Sequence, residues 1–148
     1  MKNRIVLIIT MLAFAFNTQA QSASNYEKRI SQPFHYIQIK GELKVSLVKS
    51  ENHGVIVQGS NFQINNTVSL MKDDTLFIYQ TNVKQNDSRP KVYIYANDLK
   101  AMKVNGKTTI NVSGFNEEFL GMKTENGASV SKSETDIDPV FAKKDIMQ

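Results

Sequence analysis

Ile37, Ile39, Gly41, Val45 and Leu47 are spaced as apolar-x-apolar-x-Gly-x-x-x-apolar-x-apolar, and Met102, Val104, Gly106, Ile110 and Val112 repeat that spacing without insertion or deletion. Alternation of apolar and polar residues is the period of a β-strand. A glycine between two such strands supplies a positive φ without steric cost. Each segment therefore reads as strand, corner, strand. A looser third copy, Met122, Thr124, Gly127 and Val130, follows the second by 20 residues at the methionines and 21 at the glycines. A period near twenty suits one coil of a β-solenoid, which must stack on a neighbour to bury its apolar face. The competing reading is an ordinary hairpin, because Asn-Gly flanked by alternating apolar residues is also a strong hairpin signal. Periodicity leaves both open. In either case Met102, Val104, Ile110 and Val112 are predicted core, and Gly41, Asn105, Gly106, Asn126 and Gly127 are predicted turn residues.

The rest of the chain is also written in short strands. "GVIVQG" is a β-branched run between Gly54 and Gly59, "TVSLMKDDTLFIYQ" reads as strand, turn at Lys72-Asp73-Asp74, and strand, and "KVYIYA" is another strand after the polar loop "TNVKQNDSRP". No window of eleven or more residues after the N-terminal segment keeps helical spacing. The expected fold is all-β: a β-helix or solenoid-like stack of short strands with Gly and Asn-Gly corners, incomplete at its C-terminal end.

Residues 1–20 combine a basic start (Lys2, Arg4), an apolar run from Ile5 to Phe16 and a close at Thr18-Gln19-Ala20. That is the layout of a secretory signal peptide, and the run falls short of the roughly twenty residues a membrane span needs. The expected organisation is a signal peptide at 1–20, a polar leader at 21–33, a β domain at 34–131 and a charged tail at 132–148. No transmembrane span is expected once the signal is removed, and the predicted destination is the periplasm, the cell surface or the medium. With no cysteine, disulfides and a lipid anchor through cysteine are excluded, so the fold must be held by its core. Cleavage removes two of the 18 basic residues and none of the 14 acidic ones. The resulting near-neutral, scattered charge gives no footprint for nucleic acid.

The run "FHYIQIKGELKVSLVKSENHGVIVQG", then "TLFIYQ", then "PKVYIYANDLKAMKVNGKTTINV" resembles the putative auto-transporter adhesin, head GIN domain family of exported bacterial proteins. The resemblance rests on Phe34, Gly41, Val45, Leu47, Leu76, Ile78, Val92, Ile94, Leu99 and Gly106. It implies stacked β coils, an envelope or surface location and an adhesin-like role, and it carries no catalytic residues across. The chain departs from the family pattern at one point: members usually continue through further coils, whereas here the repeat fades after Val130.

Catalytic chemistry finds little support. Two histidines, His35 and His53, and no cysteine are a poor zinc set, nothing resembles a nucleophile elbow, and Glu134, Asp136 and Asp138 lack the glycine and distal glutamate of a calcium loop. No cofactor and no metal are expected. Gly106 precedes a strand pattern, not a helix that would receive a phosphate. Asp74-Thr75-Leu76 resembles an O-glycosylation acceptor of exported Bacteroidetes proteins. The sharper feature is aromatic: Phe77 and Tyr79 alternate with Leu76 and Ile78, and Tyr93 and Tyr95 with Val92 and Ile94. If those two strands pair, the four rings form one surface for stacking on sugars or anchoring a protein. The alternative is that both sheet faces are covered, or that the rings form only a stabilising cross-strand ladder. The expected partner is a protein or polysaccharide of the envelope or its surroundings. The second expectation is a structural role, with self-association through the open final coil.

Overall fold

The computed structural model describes residues 25–29, 32–85, 88–115 and 121–132. The expected signal peptide, the segment Glu117 to Leu120 and the tail beyond Lys132 lie outside them. Among the described residues the order is β1 (Asn25–Arg29), β2 (Tyr36–Lys40), β3 (Lys44–Lys49), β4 (Gly54–Gly59), α1 (Asn61–Asn65), β5 (Thr67–Lys72), β6 (Thr75–Gln80), β7 (Lys91–Ala96), β8 (Ala101–Asn105), β9 (Thr109–Ser113), β10 (Gly121–Glu125) and β11 (Ser129–Lys132). The fold is all-β apart from the five-residue helix. It has two mixed sheets, ordered β1-β4-β7-β3-β9-β11 and β10-β8-β2-β6-β5.

The segments with identical spacing lie side by side. Ile37 stands between Leu76 and Met102, and Ile39 between Ile78 and Val104, in one sheet. In the other, Val45 stands between Val92 and Ile110, and Leu47 between Ile94 and Val112. All these pairings are parallel. The hairpin reading fails for both segments, because β2 and β3 belong to different sheets, as do β8 and β9. The matched side chains of the two sheets meet in one buried cluster. Burying each such Ile, Leu, Val or Met contributes about 1.5–3 kcal/mol relative to exposure.

The third copy stays in register. Met122 pairs with Met102, Glu125 with Asn105 and Ser129 with Thr109, so the repeat is 20 residues on both sides of the corner. What looked like an additional residue is Asn126, in the left-handed region at φ 55, standing where the second copy has Gly106. Asparagine tolerates that region better than most side chains. The apolar ladder thins here: Thr124 faces Val104 and Lys132 faces Val112, while Met122 and Val130 are only half-buried.

Antiparallel strands close the other side. β4 and then β1 extend the first sheet beyond β7, and β5 extends the second beyond β6. The β5–β6 hairpin turns on Asp73 (φ 47) and Asp74 (φ 63), the two positive-φ positions of a type I′ loop. The predicted polar leader needs correcting, because Asn25–Arg29 is the edge strand β1. It lacks apolar alternation because, at a sheet edge, charge protects better than hydrophobicity. Arg29 fastens it by donating to the carbonyls of Thr67 and Ile64.

The corner between β8 and β9 is the tightest point. Gly106 has φ 101, and a Cβ there would run into the Gly41 carbonyl. Gly106→Ala is therefore expected to destabilise by about 1–3 kcal/mol. Gly54→Ala should be neutral or slightly stabilising, since its added Cβ meets nothing within 4 Å. Denaturant midpoints of the two variants check this, and equal midpoints would reject the corner constraint.

Candidate functional site

Because side chains alternate along a strand, each sheet turns one set inward and presents the other outward. In the sheet β10-β8-β2-β6-β5, cross-strand pairing sorts the outward set into rows. One row is Leu70, Phe77, Gln38, Lys103 and Lys123; the next is Val68, Tyr79, Lys40, Asn105 and Glu125. The first two members of each row are apolar or aromatic and the rest are polar. Leu70 is 50% exposed, Tyr79 36% and nearby Tyr36 41%, and Phe77 is half-buried. Gln38, Lys40, Phe77, Tyr79, Lys103 and Asn105 line an open concavity of about 380 Å³ on this face.

The four expected rings do not form one surface. β6 and β7 lie in different sheets, so the single aromatic patch is replaced by two pairs on separate faces. Phe77 and Tyr79 belong to the concavity. Tyr93 and Tyr95 face outward from the other sheet, where Tyr93 pairs with Ile56, its hydroxyl donates to Gln58 Oε1 at 3.2 Å, and Tyr95 and Ile56 are 5% and 3% exposed. That face is closed around its rings. The Asn111 Oδ1 atom, also on β9's outward side, is buried without a hydrogen-bond partner among the described residues.

The predicted turn residues divide by role. Gly41, Gly106 and Gly127 have positive φ, as does Asn126, whereas Asn105 ends β8. Its side chain accepts from Asn126 Nδ2 at 3.0 Å and donates to Glu125 Oε2 at 3.5 Å. Glu125 also meets Lys123 Nζ at 2.9 Å and Lys103 Nζ at 3.7 Å. The hydrogen bond from Lys123 holds the Glu125 carboxyl below its usual value of 4.5, against a smaller opposing effect of desolvation, and Lys103 adds to the lowering.

The histidines do not converge on a metal. His35 Nδ1 lies 2.8 Å from both carboxylate oxygens of Asp74 and Nε2 lies 3.8 Å from Asp98. His53 instead stands edge-on to the buried Phe34 ring, 5.5 Å between centroids. Among the described residues no group of three or more His, Asp or Glu could hold a metal ion. Thr75, in the suggested glycosylation tripeptide, is half-buried and its Oγ1 lies 3.4 Å from the Asp73 carbonyl. Sequence reasoning missed Gln38, Lys40, Lys103, Glu125 and the apolar pair Val68 and Leu70. Only the cross-strand register assembles them, although their alternation with core residues marked them as outward-facing.

These features define a class of protein: a two-sheet all-β module with in-register parallel ladders and one open, aromatic and lysine-bearing sheet face. The family model described as "Putative auto-transporter adhesin, head GIN domain" matches residues 33–142, and the chain belongs to that family. Its fold is similar to that of a putative adhesin from Bacteroides fragilis (TM-score 0.64, 15% identity, covering 74% of this chain and 52% of that one). It is also similar to a putative adhesin from Parabacteroides merdae (0.55, 14%, 74% and 55%) and a putative lipid binding protein from Parabacteroides distasonis (0.54, 17%, 74% and 51%). The chain thus spans about half the length of these structures. No protein in the curated set matches it in sequence.

The lowered Glu125 pKa has a pH consequence. Folding favours the ionised carboxylate, so its contribution is present above the ordinary carboxylate value and fades as pH falls through the lowered one. The Glu125 side chain should titrate below 4.5 when followed by NMR, and Lys123→Ala should move it back upward. An unmoved titration in that variant would show that the ion pair is not the cause.

Proposed function

We propose that the chain is an exported, non-enzymatic, adhesin-like module that holds a polysaccharide or protein on the outward face of the β10-β8-β2-β6-β5 sheet. The observation that carries this reading is the concavity where Phe77 and Tyr79 lie beside Gln38, Lys40, Lys103 and Asn105. Flat rings next to hydrogen-bonding side chains are what sugar rings and interface anchors require. Family membership supports the adhesin-like role. Among the described residues no helix is long and apolar enough to cross a membrane, which agrees with an exported module without adding to it. The strand pairs β6–β7, β2–β3, β8–β9 and β10–β11 each place one strand in either sheet, and this supports reading them as coils of a short β-helix. Binding of the purified chain to polysaccharide and matrix-protein arrays tests the site. Phe77→Ala/Tyr79→Ala is expected to weaken binding about tenfold while Tyr93→Ala leaves it unchanged; equal binding by the wild type and the double variant removes the face.

A second reading is assembly through the thinning end of the stack. Among the described residues β10 and β11 pair on one side only, and exposed strand edges recruit further strands. Sedimentation of the chain with and without residues 133–148 decides this. A concentration-dependent dimer in either form is the expected outcome for assembly, and a strict monomer in both rejects it.

A further inference from the structure

Resting on the binding face just proposed, we infer that its ligand is an acidic polysaccharide with carboxylates on its sugar rings, of the uronate class. The outward rows of this sheet carry Lys40, Lys72, Lys103 and Lys123 against a single acid, Glu125. That carboxylate is already held by Lys103 and Lys123, so three positive charges remain in excess. Lys40 has no carboxylate partner among the described residues and pairs across the strand with Tyr79. Asp73 and Asp74 sit in the hairpin turn at the margin, where His35 engages Asp74.

The layout specifies more than a polyanion. Neighbouring strands lie about 4.8 Å apart, so Lys40 is one strand spacing from Tyr79, and Lys103 two from Phe77. A polymer crossing the strands would rest a sugar on Phe77 and Tyr79 and find an ammonium one or two strands further on. A uronate residue carries its stacking face and its charge on one ring, and a flexible lysine side chain spans the remaining distance from the neighbouring strand. A bare phosphate or sulfate chain has no flat apolar face to use the rings. A neutral glucan has no charge to use the lysines. Gln38 and Asn105 stand among the lysines in the same rows, where they can donate to and accept from sugar hydroxyls.

The test measures binding of the purified chain to polygalacturonate, to the same polymer after carboxyl reduction, and to dextran, at low and high salt. Polygalacturonate is expected to bind about tenfold more tightly than its reduced form, with an affinity that falls as salt rises. Lys40→Gln and Lys103→Gln should each weaken that binding about threefold, within the range of exposed charge contacts, and flatten the salt dependence. Both changes are at exposed positions, and unchanged melting confirms that the fold is intact. If native and reduced polymers bind equally and the lysine variants change nothing, the acidic class is overturned while the face stands. Absence of binding to polygalacturonate overturns it as well. If double-stranded DNA or anionic vesicles bind as tightly as polygalacturonate, the surface is a general polyanion trap and the sugar assignment fails. If Phe77→Ala/Tyr79→Ala binds every polymer as the wild type does, the face itself is wrong.

Discussion

Gly41 and Gly106 meet where the chain leaves one sheet for the other, and the rest of the structure depends on how closely they approach. The Gly41 N–H donates to the Asn105 carbonyl at 3.0 Å, and a Cβ on Gly106 would occupy the space of the Gly41 carbonyl. Thr108, fully buried, completes the joint: its hydroxyl donates to that carbonyl at 2.8 Å and accepts from Leu43 N at 3.4 Å. Backbone groups that turn a corner leave their ladder, and unpaired they would cost about 1–3 kcal/mol each. Here they are satisfied between neighbouring corners. The corners are also equal in length, so the register that sets Ile37 beside Met102 also sets Val45 beside Ile110. One local constraint thus aligns both sheets.

Alignment of the inward positions fixes the outward ones, yet the two faces have different fates. In the sheet containing β7, the antiparallel β4 brings Ile56 beside Tyr93, and Ile56 and Tyr95 are buried. In the sheet containing β6, the antiparallel β5 brings Val68 and Leu70 beside Tyr79 and Phe77, while β2 and β8 contribute Gln38, Lys40, Lys103 and Asn105 on the other side. Apolar residues flank the rings on one side and cations on the other, and the surface stays open. Outward positions of β3 and β9 include Ser46, Val48, Asn111 and Ser113, smaller than their counterparts on β2 and β8, with Lys44 at the start of β3.

Much of this was legible because the strand repeat is a physical requirement, not a decoration. Ile37 to Leu47 and Met102 to Val112 had to match for their ladders to stack, and the matching spacing displayed the register itself. The pair β6–β7 belongs to the same stack but was hidden, since the ten residues from Thr81 to Pro90 replace its glycine corner. Without that corner, β6 and β7 read as candidates for direct pairing, which is why four rings were expected on one face. Stacking order is also silent in sequence: β6 and β7 lie on the far side of β2 and β3, away from β8 and β9. The strand β1 and helix α1 were missed for different reasons. β1 is a polar edge strand laddered to β4 on one side, while α1 is announced by Ser60 and Gln63, a reciprocal capping box that five residues of helix cannot accompany with periodicity.

The placement of the open face on ladder strands bears on how such a surface would bind. Loop-borne sites adapt, and ordering them opposes binding. Phe77, Gln38 and Lys103 instead project from backbone whose neighbours Leu76, Ile78, Ile37, Ile39, Met102 and Val104 are each at most 2% exposed. Their Cα positions are therefore fixed by the core, and only rotamers remain to be selected, at about 0.5–1.5 kcal/mol per flexible side chain. Tyr79 and Phe77, with two torsions each, lose the least. The lysines lose more and return less individually, which suits them to attract and orient a charged polymer while the rings hold it. The same core that demands glycine at the corner thereby supplies the rigidity on which a shallow binding face relies.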